Sequence, residues 1–319
     1  MPVDCRMIRG PSSVAALAGD AKSPLVAGVV VTFEPDPTAL CDVLAALAPQ
    51  VAAVVVVDNG SRSGATPGVP PVVAKGTHWI QFSENCGIAA AQNRGIEWAR
   101  QWGADFVLLS DQDSEPAPDM VAQLVAAASD LIGRGVPLAL VAPDYVDERQ
   151  AVHIPFMRLQ GGRPEWFGCT GGSDVLEITT AIASGALIPV STLRAVGGMR
   201  ESLFIDLVDI EWCFRARARG FRAFGVCAAK LQHRLGEQPT RILGRKLATH
   251  SPVRNYYFFR NAVWLFRQRY VPPGWKHVVG QQMFKRYLVF SALVRPRLQY
   301  LRMMTLGLWH GFRGRGGAL

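Results

Sequence analysis

Short apolar runs alternate with amphipathic segments over the first two-thirds of the chain. The runs have the length and composition of strands buried on both faces, and they occur at Leu25–Phe33, Val51–Val57, Thr77–Phe82, Phe106–Ser110, Leu138–Ala142 and Ala181–Pro189. Between them, residue patterns predict helices at Thr38–Leu47, Ile88–Trp102, Met120–Ile132 and Val208–Arg219. This alternation predicts right-handed crossovers and an α/β domain with a doubly wound, mostly parallel sheet.

The rest of the chain is organised differently. Residues 1–24 have no periodicity, so we expect a mobile leader there. Residues 143–180 are rich in glycine and proline, which indicates a loop or a small hairpin. Helical patterns then predict three helices, at about residues 252–269, 274–294 and 297–311. The predicted organisation is therefore a leader, an α/β domain and a helical region, with boundaries at residues 1–24, 25–240 and 241–319.

The net charge of +9 is concentrated in the helical region. Residues 241–319 contain 15 Lys and Arg and no Asp or Glu, whereas the first 240 residues contain 19 basic and 25 acidic side chains. A basic, aromatic segment could bind nucleic acid. Its arginines alternate with bulky apolar residues at helical spacing, however, and we expect no nucleic-acid partner. A contact with an anionic lipid leaflet and an ordinary helical subdomain with its aromatics inside remain as alternatives.

Two features of the sequence indicate the cellular compartment of the protein. The cysteines are scattered without a Cys-x-x-Cys pair, and we find no secretory signal, so we expect reduced cysteines in the cytoplasm. The longest apolar candidate, Val278–Val294, is interrupted by Gln281, Gln282, Lys285 and Arg286, so we predict no transmembrane helix. A peripheral contact with the cytoplasmic face of the inner membrane stays open.

Two carboxylates follow the apolar run Phe106–Ser110. Asp111 and Asp113 stand one residue apart at the end of a predicted buried strand, where ligands of open α/β sheets collect. Carboxylate oxygens suit Mg²⁺ or Mn²⁺ and, through the metal, a diphosphate. An isolated Asp-x-Asp is also common in solvated loops, so its context decides. With that context it indicates a nucleotide-activated substrate.

Four more acids stand where elements begin or end. Asp58 ends the second predicted strand and could accept a hydrogen bond from a pyrimidine base, although its Asp-Asn-Gly sequence favours a turn by itself. Asp206, Asp209 and Glu211 stand at the start of a predicted helix. The helix dipole favours acids there and could explain one of the three. A general base that removes a proton from an attacking hydroxyl explains the group better.

Two basic side chains are candidates for phosphate or metal. His233 follows a predicted strand and could complete a metal shell or donate to phosphate, although a lone histidine is more often structural. Arg254 lies in an aromatic-rich helix, and an arginine fork matches phosphate oxygens. A helix-surface arginine without a role is an equally good interpretation of Arg254 taken singly.

Other nucleotide-handling classes lack their signatures in this sequence. No Gly-x-Gly-x-x-Gly follows the first predicted strand and no P-loop occurs, which argues against dinucleotide-dependent oxidoreductases and P-loop proteins. A sugar-nucleotide pyrophosphorylase should have a glycine-rich basic loop after that strand, and none is present.

An ordered set of segments carries a family resemblance. The segments are VVVTFEPD, VVVVDNGS, ENCGIAAAQNRGI, LLSDQDS, LFIDLVDIEWCFRARARG, LQHRLGE and SPVRNYYFFRNAVWL. Together they resemble the family-2 inverting glycosyltransferases of the GT-A fold, and within them the bacterial dTDP-L-rhamnose rhamnosyltransferases, over about residues 25–315. The segment Gly307–Gly317 in addition resembles the members that form rhamnolipids.

The resemblance implies a role for each donor-site position. Asp58 would recognise the base, Asp111 would lie near the ribose and the metal, and Asp113 would be the direct metal ligand. His233 would hold the donor diphosphate or the metal. The nucleotide-sugar site would further include Thr32, Asn85, Arg94 and Arg254.

The resemblance also implies the catalytic base. Asp209 matches the first acid of the family's Glu-Asp-x-Asp region. Val208 stands where the family has Glu, and Glu211 stands where it has the last Asp. Asp206 and Glu211 therefore remain rivals to Asp209.

The implied activity is metal-dependent transfer of L-rhamnose from dTDP-L-rhamnose with inversion at the anomeric carbon. The expected cofactor is Mg²⁺ or Mn²⁺. The expected acceptor is a mono-rhamnolipid, which would become a di-rhamnolipid. The alternative acceptor is a lipid-linked O-antigen or cell-surface polysaccharide precursor.

Overall fold

The computed structural model describes residues 23–62, 76–147, 152–169, 172, 174–233, 240–242, 245–247 and 250–319. Of the leader predicted at residues 1–24, only Ser23 and Pro24 are among them. The predicted catalytic carboxylates and the helical region from residue 250 onwards are all described.

The described strands are β1 (Val26–Thr32), β2 (Ala53–Asp58), β3 (Thr77–Gln81), β4 (Phe106–Asp111), β5 (Ser114–Pro116), β6 (Leu138–Asp147), β7 (Val152–His153), β8 (Phe156–Gln160), β9 (Arg163–Phe167), β10 (Val175–Ile178), β11 (Leu187–Pro189), β12 (Arg222–His233), β13 (Thr240–Ile242) and β14 (Arg245–Leu247). The main sheet has the order β3-β2-β1-β4-β11-β6-β12-β10, with β5 paired to β12 and β7 paired to β6. Strands β3, β2, β1 and β4 are parallel, and β11 is antiparallel to both neighbours. The predicted α/β class with a mostly parallel sheet is confirmed.

The described α-helices are α1 (Pro37–Leu47), α2 (Ile88–Trp102), α3 (Met120–Gly133), α4 (Val190–Val196), α5 (Val208–Ala218), α6 (Pro252–Phe266), α7 (Pro273–Leu293) and α8 (Arg297–Arg313). The side chain of Asp36 caps α1 by accepting from two backbone amides of its first turn. Helix α2 packs closely on β1, because a Cβ on Gly95 would lie 2.2 Å from Val29 Cγ1. The predicted helices are thus found with boundaries that shift by a few residues.

The register of the sheet brings the predicted site residues to one edge. In the β1–β2 pair Thr32 is opposite Asp58, and in the β1–β4 pair Val31 is opposite Asp111. The central strands are almost wholly buried up to these residues. Hydrophobic burial therefore holds the strands in the core. The polar residues that end them lie together at the edge of the sheet.

Two predicted segments differ in detail. The predicted strand Ala181–Pro189 shortens to β11, because a turn at Gly185 (φ +77°) precedes it and a Cβ there would lie 2.6 Å from Pro143 Cγ. The segment 143–180 contains the predicted small hairpin, β8–β9, but β6 extends through Asp147 and β10 joins the main sheet. Glycine and proline content predicted turns here and missed the edge strands between them.

The expectation of reduced cysteines is wrong for one pair. Cys169 and Cys227 form a disulfide with their Cα atoms 5.7 Å apart. The two residues are separated by 58 positions in sequence, so no local spacing reveals the pair. Their proximity arises because the segment after β9 returns to pair β10 with β12, which carries Cys227.

The helical region packs against the α/β domain and on itself. Helices α6 and α8 approach closely at two glycines: a Cβ on Gly307 would lie 2.5 Å from the Tyr256 carbonyl oxygen, and one on Gly311 would lie 2.7 Å from the Arg260 carbonyl oxygen. Small residues at this spacing allow two helix backbones to meet. No helix among the described residues has the length and hydropathy to span a membrane.

Candidate active site

A cleft of about 510 Å³ opens at the carboxyl ends of β1 and β4. Its polar lining residues come from the strand ends, from the start of α2, from the loop before α5 and from α6: Thr32, Asn59, Asn85, Gln92, Asp111, Gln112, Asp113, Asp206, Asp209 and Arg254. Carboxylates from two separate parts of the chain thus meet in one cavity. Ligands of open α/β sheets bind at such an edge.

Asp111 is the last residue of β4 and lies among other carboxylates. Desolvation, together with the negative charges of Asp113 and Asp209, raises the pKa of Asp111 to about 7, and the positive charge of Arg254 opposes the shift. Closely spaced acids that lack enough positive charge raise the pKa of one another in this way. The cleft therefore presents an excess of negative charge.

These carboxylates fit a divalent cation that also binds a diphosphate. Among the residues that the structure describes, no group of three or more His, Cys, Asp or Glu side chains could hold a metal by itself. Magnesium is often bound by one or two carboxylates together with substrate phosphates and water. The pair Asp111 and Asp113, with hard oxygen ligands and a raised Asp111 pKa, matches that mode of binding.

The backbone of His233 lies close to that of Asp111 and Asp113 in the sheet. Strand β12 pairs antiparallel with β5, and His233 is the partner of Ser114, which directly follows Asp113. The side chain of His233 is outside the described part of the structure. Its predicted role as a metal or phosphate ligand stays a prediction, now with a backbone position beside Asp113.

Asp209 lies in the first turn of α5 and lines the cleft. One of its oxygens accepts from the Ala183 backbone amide (3.2 Å), and the other accepts from the Ile210 amide (2.8 Å). Desolvation raises the pKa of Asp209 to about 6, although these backbone hydrogen bonds oppose the shift. The two amides fix the carboxylate, and no cationic hydrogen-bond partner neutralises it among the described residues. Such a group can take up a proton near neutral pH.

Asp206 lines the same cleft but forms an ion pair. Its Oδ1 is 2.8 Å from Arg254 Nη2, at the start of α6. Asp206 therefore anchors Arg254 at the cleft wall. This ion pair distinguishes Asp206 from Asp209, which accepts hydrogen bonds from two backbone amides.

The loop that carries Asp206 has an unusual backbone. Phe204, Asp206 and Leu207 all have positive φ angles, of 65°, 65° and 62°, a conformation that costs energy for residues other than glycine. Two buried side chains of α6 hold it in place. Asn261 donates from Nδ2 to three carbonyls of residues 203, 205 and 206, and Arg260 donates to those of residues 202 and 203. Helix α6 therefore sets the shape of the cleft.

Glu211 is placed away from the cleft. Its side chain is fully buried and accepts from Arg215 Nε and Nη2 (both 2.9 Å) and from Tyr270 Oη (2.7 Å). Arg200 lies at 3.5 Å. Glu211 therefore joins α5 to the segment after α6, and it does not line the cavity that contains Asp209.

Asp58 is buried beneath the rim of the cleft. Its Oδ1 accepts from the hydroxyls of Thr32 (3.0 Å) and Ser61 (2.6 Å), and its Oδ2 accepts from the Ser61 amide (3.0 Å). Thr32 lines the cleft, whereas Asp58 itself does not. The carboxylate thus holds the β1 and β2 ends together, and its predicted contact with the base stays a prediction.

Asn85 shapes the entry to α2. Its Oδ1 accepts from Asn59 Nδ2 (2.9 Å) and from the Gly87 amide (3.0 Å). Gly87 has φ +89°, and a Cβ there would lie 2.6 Å from the Phe204 carbonyl oxygen. By contrast, Arg94 is exposed on α2 and does not line the cleft.

Two glutamines of the cleft were missed from the sequence. Gln92 is buried, lines the cleft, and its Oε1 has no hydrogen-bond partner among the described residues. Gln112, between Asp111 and Asp113, accepts from the Phe33 backbone amide through its Oε1 (2.8 Å) and donates from its Nε2 to the Phe33 carbonyl (3.3 Å). The position of Gln112 within Asp-Gln-Asp could have predicted that it lies at the site. The position of Gln92 in the cleft can be recognised only from the fold.

A mostly parallel sheet with an Asp-x-Asp pair at a strand end and C-terminal helices beyond it is the arrangement of a GT-A type fold. Solved structures with this fold are similar to the chain. GalNAc-T7, solved with UDP, GalNAc and Mn²⁺, matches with a TM-score of 0.58 and 14% identity, over 92% of this chain and 55% of its own. TarS 1-349 of S. aureus, in complex with UDP-GlcNAc, matches with a TM-score of 0.54 and 15% identity, over 91% of this chain and 81% of its own.

Sequence comparisons find a family match and relatives of the chain. The family model described as "Glycosyl transferase family 2" matches residues 29–153. The dTDP-rhamnosyl transferase RfbF of Shigella flexneri is 29% identical over 90% of this chain and 95% of its own. The galactofuranosyltransferase GlfT1 of Mycobacterium tuberculosis is 27% identical over 92% of this chain and 98% of its own. The chain is a glycosyltransferase, and its match to family 2 covers residues 29–153.

Proposed function

We propose that this enzyme transfers L-rhamnose from dTDP-L-rhamnose to a hydroxyl of a lipid-linked glycan. The observation that carries the proposal is the cleft in which Asp111, Asp113 and Asp209 meet beside Arg254. The similarity to a dTDP-rhamnosyl transferase over nearly the full length of both chains supports the donor.

Asp209 is the proposed general base. An acceptor hydroxyl in the cleft loses its proton to the Asp209 carboxylate while its oxygen bonds to the anomeric carbon. The bond from that carbon to the dTDP oxygen breaks on the opposite face, and the configuration inverts. The raised pKa of Asp209 supports this role, because a base with a pKa of about 6 is ionised at neutral pH yet accepts a proton more readily than an ordinary aspartate.

The charge on the departing dTDP needs stabilisation. Arg254, anchored by Asp206, is suited to donate to diphosphate oxygens. A divalent cation held by Asp113 and Asp111 would supply further positive charge beside the diphosphate. Asp206 then acts through Arg254, which favours Asp209 over Asp206 as the base.

The nucleotide is proposed to bind across the ends of β1 and β2. Thr32 and Asn85 line that part of the cleft, and the Asp58 carboxylate lies directly behind Thr32. A shift of the Thr32 or Ser61 hydroxyl would free an Asp58 oxygen for the base N–H. Arg94 would need to act from the surface of α2, which makes it the weakest member of the proposed donor site.

The proposal has two candidate acceptors. The likeness to the dTDP-rhamnosyl transferase RfbF, over nearly the full length of both chains, supports a lipid-linked glycan as the first candidate. A mono-rhamnolipid remains the second, because the segment Gly307–Gly317 resembles rhamnolipid-forming members.

The test is a transfer assay with the full chain. The protein is incubated with dTDP-L-rhamnose, Mg²⁺ and either a lipid-linked saccharide or a mono-rhamnolipid, and products are identified by mass spectrometry. We expect one added deoxyhexose on the lipid-linked saccharide, formed about 10²–10⁴-fold more slowly with Asp209→Asn. Transfer only to the mono-rhamnolipid would overturn the acceptor, and transfer only from other nucleotide sugars would overturn the donor.

A further inference from the structure

Helices α7 and α8 present large apolar side chains to solvent. The residues concerned are Phe284, Leu288, Leu298, Leu301, Trp309 and Phe312, which we call the apolar face; their exposure runs from 36% for Leu301 to 80% for Leu298. Single exposed apolar residues are ordinary on protein surfaces. A group of this size on two adjacent helices marks an interaction surface.

These side chains form one surface because the two helices are paired side by side. Tyr287 Oη of α7 lies 2.9 Å from Thr305 Oγ1 of α8. Phe284 lies one turn before both Tyr287 and Leu288 on α7, and Leu301 and Trp309 are each one turn from Thr305 on α8. The exposed apolar residues therefore line both sides of the same seam.

The opposite face of α8 is already used. Tyr300, Met304, Gly307 and Gly311 are buried at helical spacing, and the two glycines meet the backbone of α6. The apolar face is thus an additional face of a helix whose core contacts are complete. Its exposure is not explained by packing within the described part of the chain.

Basic side chains surround the apolar face. Lys285, Arg295, Arg297, Arg302 and Arg313 are all exposed, and the Arg313 guanidinium lies 4.1 Å from the centre of a Trp309 ring. No Asp or Glu occurs in residues 241–319. Aliphatic and aromatic side chains ringed by arginine and lysine match the interface of an anionic bilayer, where apolar groups enter the acyl boundary and cations meet the headgroups.

The geometry points to the apolar face as a docking surface for an anionic lipid bilayer. We propose that α7 and α8 lie in the membrane interface, with the apolar face turned toward the acyl chains and the basic side chains at the headgroup phosphates. A nucleic-acid surface would place basic and stacking groups outward without so many aliphatic side chains. The leucines and phenylalanines here favour lipid.

Helix α7 also approaches the active site through Arg286. The Arg286 guanidinium stacks over the ring of Phe258 in α6, at 4.8 Å from its centre. Burial lowers the pKa of Arg286, and the charges of Asp206 and Arg254 in the cleft act on it as well. Arg286 is two residues from Phe284 and from Leu288, so it lies on a different face of α7 from them. The same helix thus carries part of the apolar face on one side and a side chain near the cleft on another.

The docking experiment is flotation of the full chain with vesicles, without donor or acceptor. Phosphatidylglycerol–phosphatidylethanolamine vesicles are compared with phosphatidylcholine vesicles. We expect the protein to float with the anionic vesicles and to bind the neutral ones at least about tenfold less, with the difference shrinking at high salt. A protein that remains at the bottom of the gradient with anionic vesicles would overturn the proposal.

Variants separate the apolar face from nonspecific adhesion. Phe284→Gln combined with Leu288→Gln and Leu301→Gln should weaken binding to anionic vesicles at least about tenfold. The matched control, Trp102→Gln with Ile132→Gln, changes exposed apolar residues of α2 and α3 and should bind as the unmodified protein does. Thermal melting checks that each variant is folded. Equal flotation of the triple variant would contradict the assignment.

Other occupants of the surface give different results. If the unmodified protein fails to float and is dimeric in light scattering, and the triple variant is monomeric, the surface contacts a second copy. If it fails to float and binds RNA through the same residues, the partner is nucleic acid. Each result would overturn lipid docking. Because flotation needs no sugar donor, its failure leaves rhamnose transfer untouched, and failure of rhamnose transfer leaves docking untouched.

Discussion

Two acids of helix α5, two residues apart, differ in their burial and in their hydrogen-bond partners. Asp209 lines the cleft, accepts from two backbone amides and no cationic side chain in the described part of the chain, and has a raised pKa. Glu211, two residues further on, is fully buried and has Arg215, Tyr270 and Arg200 as partners. Glu211 stabilises the fold, whereas Asp209 remains an uncompensated charge available for chemistry.

The contrast extends to the two sides of the cleft. The α/β side contributes carboxylates that repel one another, and the α6 side contributes the Arg254 ion pair and the Arg260–Asn261 clamp on the loop 202–206. On the α6 side, Arg260 and Asn261 each donate to more than one backbone carbonyl. Substitutions on the two sides should therefore affect different measurements, which the following predictions use.

The largest effect on stability is expected for Glu211→Gln. Removing the charge of a buried, multiply bonded carboxylate leaves Arg215 uncompensated and should lower the free energy of unfolding by about 3–5 kcal/mol. The control Glu165→Gln disrupts the exposed pair with Arg158 and should cost less than about 1 kcal/mol. Denaturant unfolding measures both. Equal stability of the Glu211→Gln variant and the unmodified protein would remove the structural role of Glu211.

The next effect concerns catalysis without a loss of stability. Asp113→Asn should lower kcat by about 10²–10³-fold, because the divalent cation that would neutralise the charge on the departing dTDP would lose a ligand. Its free energy of unfolding should not fall, since Asp113 belongs to a cluster of repelling carboxylates. Asp130→Asn on the surface of α3 is the control. Steady-state transfer kinetics decide, and an unaltered kcat would exclude Asp113 from the donor site.

Asn261→Ala should affect both properties at once. Three backbone carbonyls of the positive-φ loop lose a donor, which should cost about 2 kcal/mol of stability. The loop that carries Asp206 would relax and the donor KM should rise. Gln281→Ala, an exposed amide on α7, is the control. A variant with lower stability and an unchanged KM would show that the clamp does not shape the cleft.

The smallest expected effect is on the pH dependence of kcat/KM. Because the pKa of Asp209 is raised to about 6, the carboxylate becomes protonated as pH falls through that value and can no longer accept the acceptor proton. The value of kcat/KM should fall about tenfold per pH unit below about 6. A profile that stays flat down to pH 5 would be incompatible with a base of this pKa.

Much of this arrangement can be predicted from the sequence, because strand ends are visible as abrupt stops of apolar runs. Asp111 and Asp113 follow β4 directly, and the alternation of elements places their edge beside β1. The separation of Asp209 from Glu211 is also within reach of helix periodicity, since residues two apart point to different faces of a helix. The helix face on which each acid lies can therefore be predicted, and it separates an acid that lines a cleft from one that is buried in the fold.

The remaining features depend on tertiary contacts that have no local signature. Arg260 and Asn261 hold backbone carbonyls of a positive-φ loop more than fifty residues earlier in the chain. The Cys169–Cys227 disulfide and the buried Gln92 in the cleft likewise depend on how distant elements meet. Only the folded chain reveals such pairs.

The central claim is that Asp209 is the catalytic base, and Asp209→Asn tests it most directly. The variant should bind dTDP as the unmodified protein does in calorimetry, be at least as stable at pH 7, and transfer rhamnose about 10²–10⁴-fold more slowly in single turnover. Its stability should not fall, because a carboxyl group with a raised pKa is destabilising when ionised in the folded state above that pKa. Full transfer activity of Asp209→Asn, with loss of activity in Asp206→Asn and unchanged dTDP binding in both variants, would contradict the account.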